Sequence, residues 1–268
     1  MEMNGTDVIF FGGQSNMQGQ SEALSSTEPV ENAMEYRWLS DTVIPLRNPV
    51  GEDIGYDHTA GYPAVEGGDP YAWYNRHVTG SACYGHTNLV PSFCKTYVER
   101  TGRRVLAAHI AKGSTTVSDW LKGSAGYDIL LKKGGGALRA AGTPQRIFFV
   151  WLQGESDAVA GNSKELYKEQ ITRLKNDLMA DLGVEKFGII RVGRFAGEEP
   201  DGKILAAQDE VCREDPDFLM LTDIATTLNG MPEYMHPRLA GHFSARGLEK
   251  LGYEAGKTLG DFVAGQKG

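Results

Sequence analysis

The stretch Asp7 to Met17, DVIFFGGQSNM, constrains the fold more than any other part of the chain. Four consecutive apolar residues, Val8 to Phe11, predict a strand covered on both faces, as in a parallel sheet, and Gly12-Gly13 then break it. The break delivers Ser15 to the C-terminal edge of that sheet, where open α/β sheets bind their ligands. A hydroxyl at this place, flanked by polar Gln14 and Asn16, is a candidate nucleophile. Taken alone, Gly, Ser and Asn are equally ordinary turn residues, so the rest of the chain has to decide.

After this strand, a long irregular stretch runs from about Gln18 to His86 and carries Pro45, Pro49, Pro63 and Pro70 with little periodicity. Its aromatics (Trp38, Tyr56, Tyr62, Tyr71, Trp73, Tyr74) fit an ordered, pocket-lining loop or the packing of the loop itself. Helical spacing of Leu89, Phe93 and Tyr97 predicts a helix from about Asn88 to Arg100, and Val105 to Ile110 reads as a strand. A helical piece from about Asp128 towards Ala141 contains Gly134 to Gly136, which lack the Lys-Ser/Thr of a phosphate loop and read as flexible punctuation. Ile147 to Leu152 is the most apolar strand. Tyr167, Ile171, Leu174, Leu178 and Leu182 keep 3.6 periodicity, Phe187 to Val192 and Phe218 to Leu221 read as strands, and a helix from about Lys203 to Cys212 lies between them. Leu248, Leu251, Ala255, Leu259 and Phe262 mark a last amphipathic helix. Strands alternating with helices predict a mainly parallel, doubly wound sheet, and we read residues 1–268 as a single domain with a loop insertion at about 18–88.

A chain of 268 residues with 41% hydrophobic content can bury a large core. Its net charge of −8 argues against nucleic acid or an anionic membrane surface as partner and favours a small neutral or polar ligand. No apolar run approaches the roughly 20 residues that span a bilayer, and no signal-peptide pattern opens the chain, so the expected location is the cytoplasm. Cys83, Cys94 and Cys212 are odd in number and lack metal-ligand spacing, which fits packing residues in a reducing compartment. His58, His77 and His86 show no helical ligand spacing and read as loop residues, so neither a metal nor another cofactor is expected.

Three strand ends carry polar turns: Gly13-Gln14-Ser15-Asn16, Lys112-Gly113-Ser114 and Gln153-Gly154-Glu155. A fourth segment, Gly241-His242-Phe243-Ser244, provides a histidine. Ester hydrolysis by a serine needs a base, a group that orients the base, and donors for the oxyanion, and these turns contain all of them. The G-x-S-x-G elbow is not matched, because Met17 stands two residues after Ser15.

Together with Thr115, the Trp151-to-Asp157 run WLQGESD and the His242-to-Gly247 run HFSARG, these blocks resemble those of the SGNH hydrolases. More narrowly, they are similar to the branch that holds sialate O-acetylesterases and the acetylxylan esterases of carbohydrate esterase family six. The resemblance implies a flavodoxin-like three-layer α/β/α sandwich with a mainly parallel sheet of about five strands. It also implies metal-independent removal of acetyl groups from a carbohydrate. By position, Ser15 is the nucleophile and His242 the base, with the N–H groups of Ser15 and Gly113 and the Gln153 amide as the oxyanion hole.

One departure is visible. The wider family carries Asp three residues before its histidine, and this chain has Leu239, which cannot orient an imidazole. Glu155 is the expected replacement, because it leaves the same strand end as Gln153 with the same parity. Asp157 and Asp223 are weaker candidates, and His236 with Glu233 is a competing base. The function expected is a serine esterase acting on an acetylated xylan, oligosaccharide or sialic acid. The alternatives are a lysophospholipase or thioesterase, and a catalytically inactive carbohydrate-binding protein on the same scaffold.

Overall fold

The computed structural model describes residues 5–51 and 87–266. The described residues form one seven-stranded sheet in the order β3-β2-β4-β1-β5-β6-β7. Its strands are β1 (Asp7–Gly13), β2 (Ala33–Arg37), β3 (Thr42–Pro45), β4 (Val105–Ala111), β5 (Ile147–Leu152), β6 (Lys186–Ile190) and β7 (Phe218–Thr222). Every pairing is parallel except that of β2 with β3 at the edge. The eight α-helices among the described residues are α1 (Ser15–Gln18), α2 (Val90–Thr101), α3 (Ala125–Ala141), α4 (Glu155–Val159), α5 (Lys164–Leu182), α6 (Glu198–Glu214), α7 (Ala225–Leu228) and α8 (Ala245–Gly265).

All seven residues of β1 are buried, as the unbroken apolar run predicts. Side chains alternate across the sheet, so Phe11 meets Phe93 of α2 edge-on at 5.1 Å while Phe10 faces the other way towards Phe149. Phe149 stacks on Phe187 at 5.0 Å, and Trp151, from the same face, meets Trp120. Helices α2 and α8 pair on the first face and α3, α5 and α6 on the second, which gives the expected three-layer sandwich.

Two expectations are corrected. The sheet has seven strands rather than about five, because β2 and β3 lie inside the stretch read as an irregular loop. Their signal was hidden by charge: Glu35 and Arg37 of β2 are buried as a 3.0 Å ion pair, and they fasten the backbone of Gly51 from both its N–H and its carbonyl. The other correction concerns Gly134 to Gly136, which sit inside an unbroken α3. A Cβ on Gly136 would overlap the Tyr36 hydroxyl, and one on Gly134 would meet Leu182, so these glycines permit close packing. Residues His58, His77, His86, Cys83, Tyr56, Tyr62, Tyr71, Trp73 and Tyr74 lie outside the described residues.

The topology fixes where chemistry can sit. The chain winds to one side of β1 through β4 and β2, then crosses to β5, β6 and β7 on the other, so the order reverses at β1. A crevice opens at the C-terminal ends of strands at such a switch point, and Ser15 follows β1 there.

Candidate active site

Ser15 is the first residue of α1. The turn before it is tied to both neighbouring strands, by Gln14 N–H to the Leu152 carbonyl at 3.2 Å and Lys112 N–H to the Gly13 carbonyl at 3.0 Å. Gly13 has φ +149°, and a Cβ there would overlap the Leu152 carbonyl, so the tight exit from β1 requires glycine. These constraints leave Ser15 only 7% exposed.

His242 lies on the loop before α8, where the His236 N–H donates to the His242 carbonyl at 2.8 Å and Ser244 caps the helix through Gly247 N–H. Its Nε2 is 2.8 Å from Ser15 Oγ, and its Nδ1 is 2.9 Å from the Ala240 carbonyl. A carbonyl can only accept, so Nδ1 carries the proton of the neutral ring. Nε2 is then the acceptor for the Ser15 hydroxyl, the tautomer a general base needs. Burial lowers the imidazole pKa below its usual 6.5, as does nearby His236, while the Ala240 carbonyl works the other way. At neutral pH the ring is therefore uncharged and able to take a proton.

The carboxylate expected beside His242 is engaged elsewhere. Glu155 is 2% exposed and its Oε1 accepts from Asn16 Nδ2 at 2.8 Å. Burial raises its pKa, partly offset by the Asn16 bond. The orienting position at Nδ1 is occupied by the Ala240 carbonyl, because the loop folds back on itself there. Glu155 reaches the histidine loop only through Asn16, whose Oδ1 accepts from Phe243 N–H at 3.2 Å and whose Nδ2 also approaches the Gly241 carbonyl at 3.4 Å.

Gly113 sits beside Ser15, and its N–H donates to Gln18 Oε1 at 2.9 Å. An acceptor oxygen thus already lies where this donor points. The Ser15 N–H, at the first position of α1, has no intrahelical acceptor. Gln153, expected as a third donor, is fully buried and its Nε2 faces the Thr115 carbonyl, Gln14 Oε1 and Asp157 Oδ2. Its amide hydrogens therefore bind three strand-end turns together instead of facing the crevice.

The other candidates are structural. His236 Nδ1 accepts from the N–H groups of Arg238 and Leu239, which fixes the turn before His242. The Glu233 carbonyl accepts from Ser244 Oγ. Asp157 holds Val117, Gln153 and Asn162, and Asp223 is exposed 3.9 Å from Arg191. Cys94 is buried and Cys212 partly buried, both as free thiols. Among the described residues no group of three or more His, Cys, Asp or Glu could hold a metal, and no helix is long and apolar enough to cross a membrane. Phe195, which no sequence signal singled out, meets His242 edge-on with ring centroids 5.8 Å apart.

The fold is that of the SGNH hydrolases. The structure of an Arabidopsis thaliana protein superposes with a TM-score of 0.71 at 18% identity, covering 96% of this chain and 99% of that one. The crystal structure of NanS gives 0.62 at 12% identity over 99% and 97% of the two chains. That of a carbohydrate acetylesterase from Xanthomonas citri gives 0.56 at 15% identity, covering 98% of this chain and 57% of the other. In sequence, the chain is 25% identical over 205 residues to a probable carbohydrate esterase from Arabidopsis thaliana, covering 75% of this chain and 74% of the relative. Residues 5–258 match the family described as carbohydrate esterase, sialic acid-specific acetylesterase, and the chain belongs to that family.

Proposed function

We propose that the protein is a serine esterase that removes O-acetyl groups from a carbohydrate through an acetyl-enzyme intermediate. The observation that carries this reading is the 2.8 Å contact between Ser15 Oγ and His242 Nε2, with the opposite ring nitrogen held on the Ala240 carbonyl. In this mechanism Ser15 attacks the acetyl carbonyl while His242 takes its proton. The developing oxyanion lies against the N–H groups of Ser15 and Gly113, and Gln18 Oε1 leaves the Gly113 donor as it arrives. His242 returns the proton to the departing sugar oxygen, and a water activated by the same imidazole cleaves the acetyl-enzyme. No step requires a metal.

We assign the acyl side a short pocket that favours acetyl, supported by the tight packing of the Gly113 turn, where even a Cβ would meet Gln20 and Gln18 beside Ser15. Glu155 acts in this scheme as a positioning residue, holding Asn16 and through it the loop of His242. Acetate release by the wild-type protein from acetylated xylotriose or O-acetyl sialic acid is the expected result, with octanoyl esters hydrolysed at least tenfold more slowly. Equal rates on octanoyl and acetyl esters would instead indicate a lipase or thioesterase.

A further inference from the structure

The geometry points to Phe195, with Arg194 beside it, as the subsite that receives the pyranose ring bearing the acetyl group. This inference deepens the acetylesterase reading above and rests on it. Phe195 is 42% exposed, a large apolar surface to leave open directly against the candidate base. It is also rigidly placed. The buried Asp201 carboxylate accepts from the N–H groups of Phe195, Ala196 and Gly197 at 2.8, 2.9 and 3.0 Å, and Asn229 Oδ1 accepts from Arg194 N–H at 2.6 Å. Gly241, with φ +70°, clears the space for the ring, since a Cβ there would overlap Phe195. Two separate devices therefore hold an exposed aromatic ring beside His242.

The direction of the reaction says which part of a substrate meets that ring. The acyl oxygen has to face the N–H groups of Ser15 and Gly113, whereas the leaving oxygen has to receive its proton from His242. The alcohol half of the ester consequently lies on the side of His242, where Phe195 packs. A cleft of about 420 Å³, lined by Arg194, Phe195, Gly197, Glu198 and Asp201, adjoins the site through Phe195, the ring that meets His242. Both Asp201 oxygens are engaged with the backbone, and the Arg194 guanidinium has no hydrogen-bond partner among the described residues. An aromatic face for the C–H side of a pyranose and a planar donor for its hydroxyls are the two contacts a sugar offers for. A larger cleft of about 710 Å³, whose lining includes Tyr234, Arg246 and Tyr253, has neither Ser15 nor His242 in its wall, and neither has the smaller one; the smaller cleft differs in sharing Phe195, the ring that meets His242.

The test compares kcat/KM on acetylated xylotriose with kcat/KM on triacetin, a sugarless acetyl ester, for wild type and three variants. Because Phe195 touches His242, the readout is the ratio of the two values. Phe195→Leu keeps apolar bulk against the imidazole and should lower the ratio at least tenfold through a higher KM on the sugar ester. Phe195→Trp keeps an aromatic face and should hold the ratio within about threefold, a factor worth under 1 kcal/mol. Arg194→Ala should lower the ratio at least threefold. A Phe195→Leu ratio equal to wild type, or an equal fall in both kcat/KM values, would overturn the subsite while leaving the esterase reading intact. Failure of the esterase reading is separately visible, as wild-type protein that hydrolyses neither ester. In that case, weaker binding of unacetylated xylotriose by Phe195→Leu than by wild type, read by calorimetry, supports the subsite on its own, and equal binding overturns it.

Discussion

Asn16 Nδ2 donates to Glu155 Oε1 at 2.8 Å, and this bond joins the turn of the candidate nucleophile to the strand end of β5. The other edge of the same amide accepts from Phe243 N–H, so one side chain fastens the segment after β1, the segment after β5 and the histidine loop. A carboxylate that supports the imidazole at one remove should behave differently from one that touches it.

Replacement of Glu155 by Gln should lower kcat by no more than about tenfold, because the amide oxygen can still accept from Asn16. A triad acid converted to its amide costs roughly 10⁴. Glu155→Ala should cost more, since loss of the acceptor leaves a buried donor unpaired at about 1–3 kcal/mol. Steady-state kinetics on triacetin with both variants, checked as folded by circular dichroism, measure the difference. A 10⁴-fold loss in a folded Glu155→Gln protein would place its charge in contact with His242 during turnover.

Stability should reveal the same buried carboxyl. Its folded-state pKa is raised, chiefly by burial, so its contribution is fully present below the unfolded value and is lost as pH rises through the folded one. Glu155→Gln removes that loss. The Tm of the variant relative to wild type should therefore be more favourable at pH 8 than at pH 4, as thermal melts at the two pH values would show. A difference independent of pH would contradict a buried, perturbed Glu155.

The pH profile of kcat/KM should have an acid limb set by His242. Only the neutral ring can accept the proton from Ser15, and burial lowers its pKa, so the limb should fall below the ordinary 6.5. Hydrolysis of triacetin followed in a pH-stat tests this. A midpoint at or above 6.5 would mean that an anion stabilises the imidazolium.

On the back of the sheet, α8 meets α2 along Gly252, Gly256 and Gly260, spaced at every fourth residue. A Cβ on Gly256 would overlap the backbone of Phe93, which cannot swing aside. Gly256→Ala should destabilise the fold by about 1–3 kcal/mol, seen as a lower Tm, without changing kcat at temperatures where it stays folded. An unchanged Tm would show that the two helices separate at little cost.

The frame of this fold was readable because β1 and β5 carry continuous apolar runs, β4 is apolar except for His109, and the amphipathic helices between them keep their period. Residues that bury charge broke the pattern: Glu35 and Arg37 disguised β2, and packing across Gly134 and Gly136 looked like a flexible turn. At the site, the Ser15 and His242 positions were visible as motif blocks before a helix. The side-chain directions after β5 were not. Parity alone sent Gln153 and Glu155 to the crevice, but the chain leaves extended geometry at Gly154, with φ +153°, and α4 begins at Glu155. Gln153 then turns to Thr115 and Asp157, and Glu155 to Asn16. Phe195 carried no signal at all, since its place beside His242 depends on Asp201 gathering three N–H groups of one turn.

The claim that Ser15 is the nucleophile is tested most directly by kcat/KM of a folded Ser15→Ala variant on triacetin. The geometry of Ser15 and His242 predicts a fall of about 10⁴-fold or more, the scale on which removal of a serine nucleophile acts. A folded variant that keeps activity within about tenfold of wild type would contradict the account, because the hydroxyl 2.8 Å from the imidazole would then have no part in the chemistry.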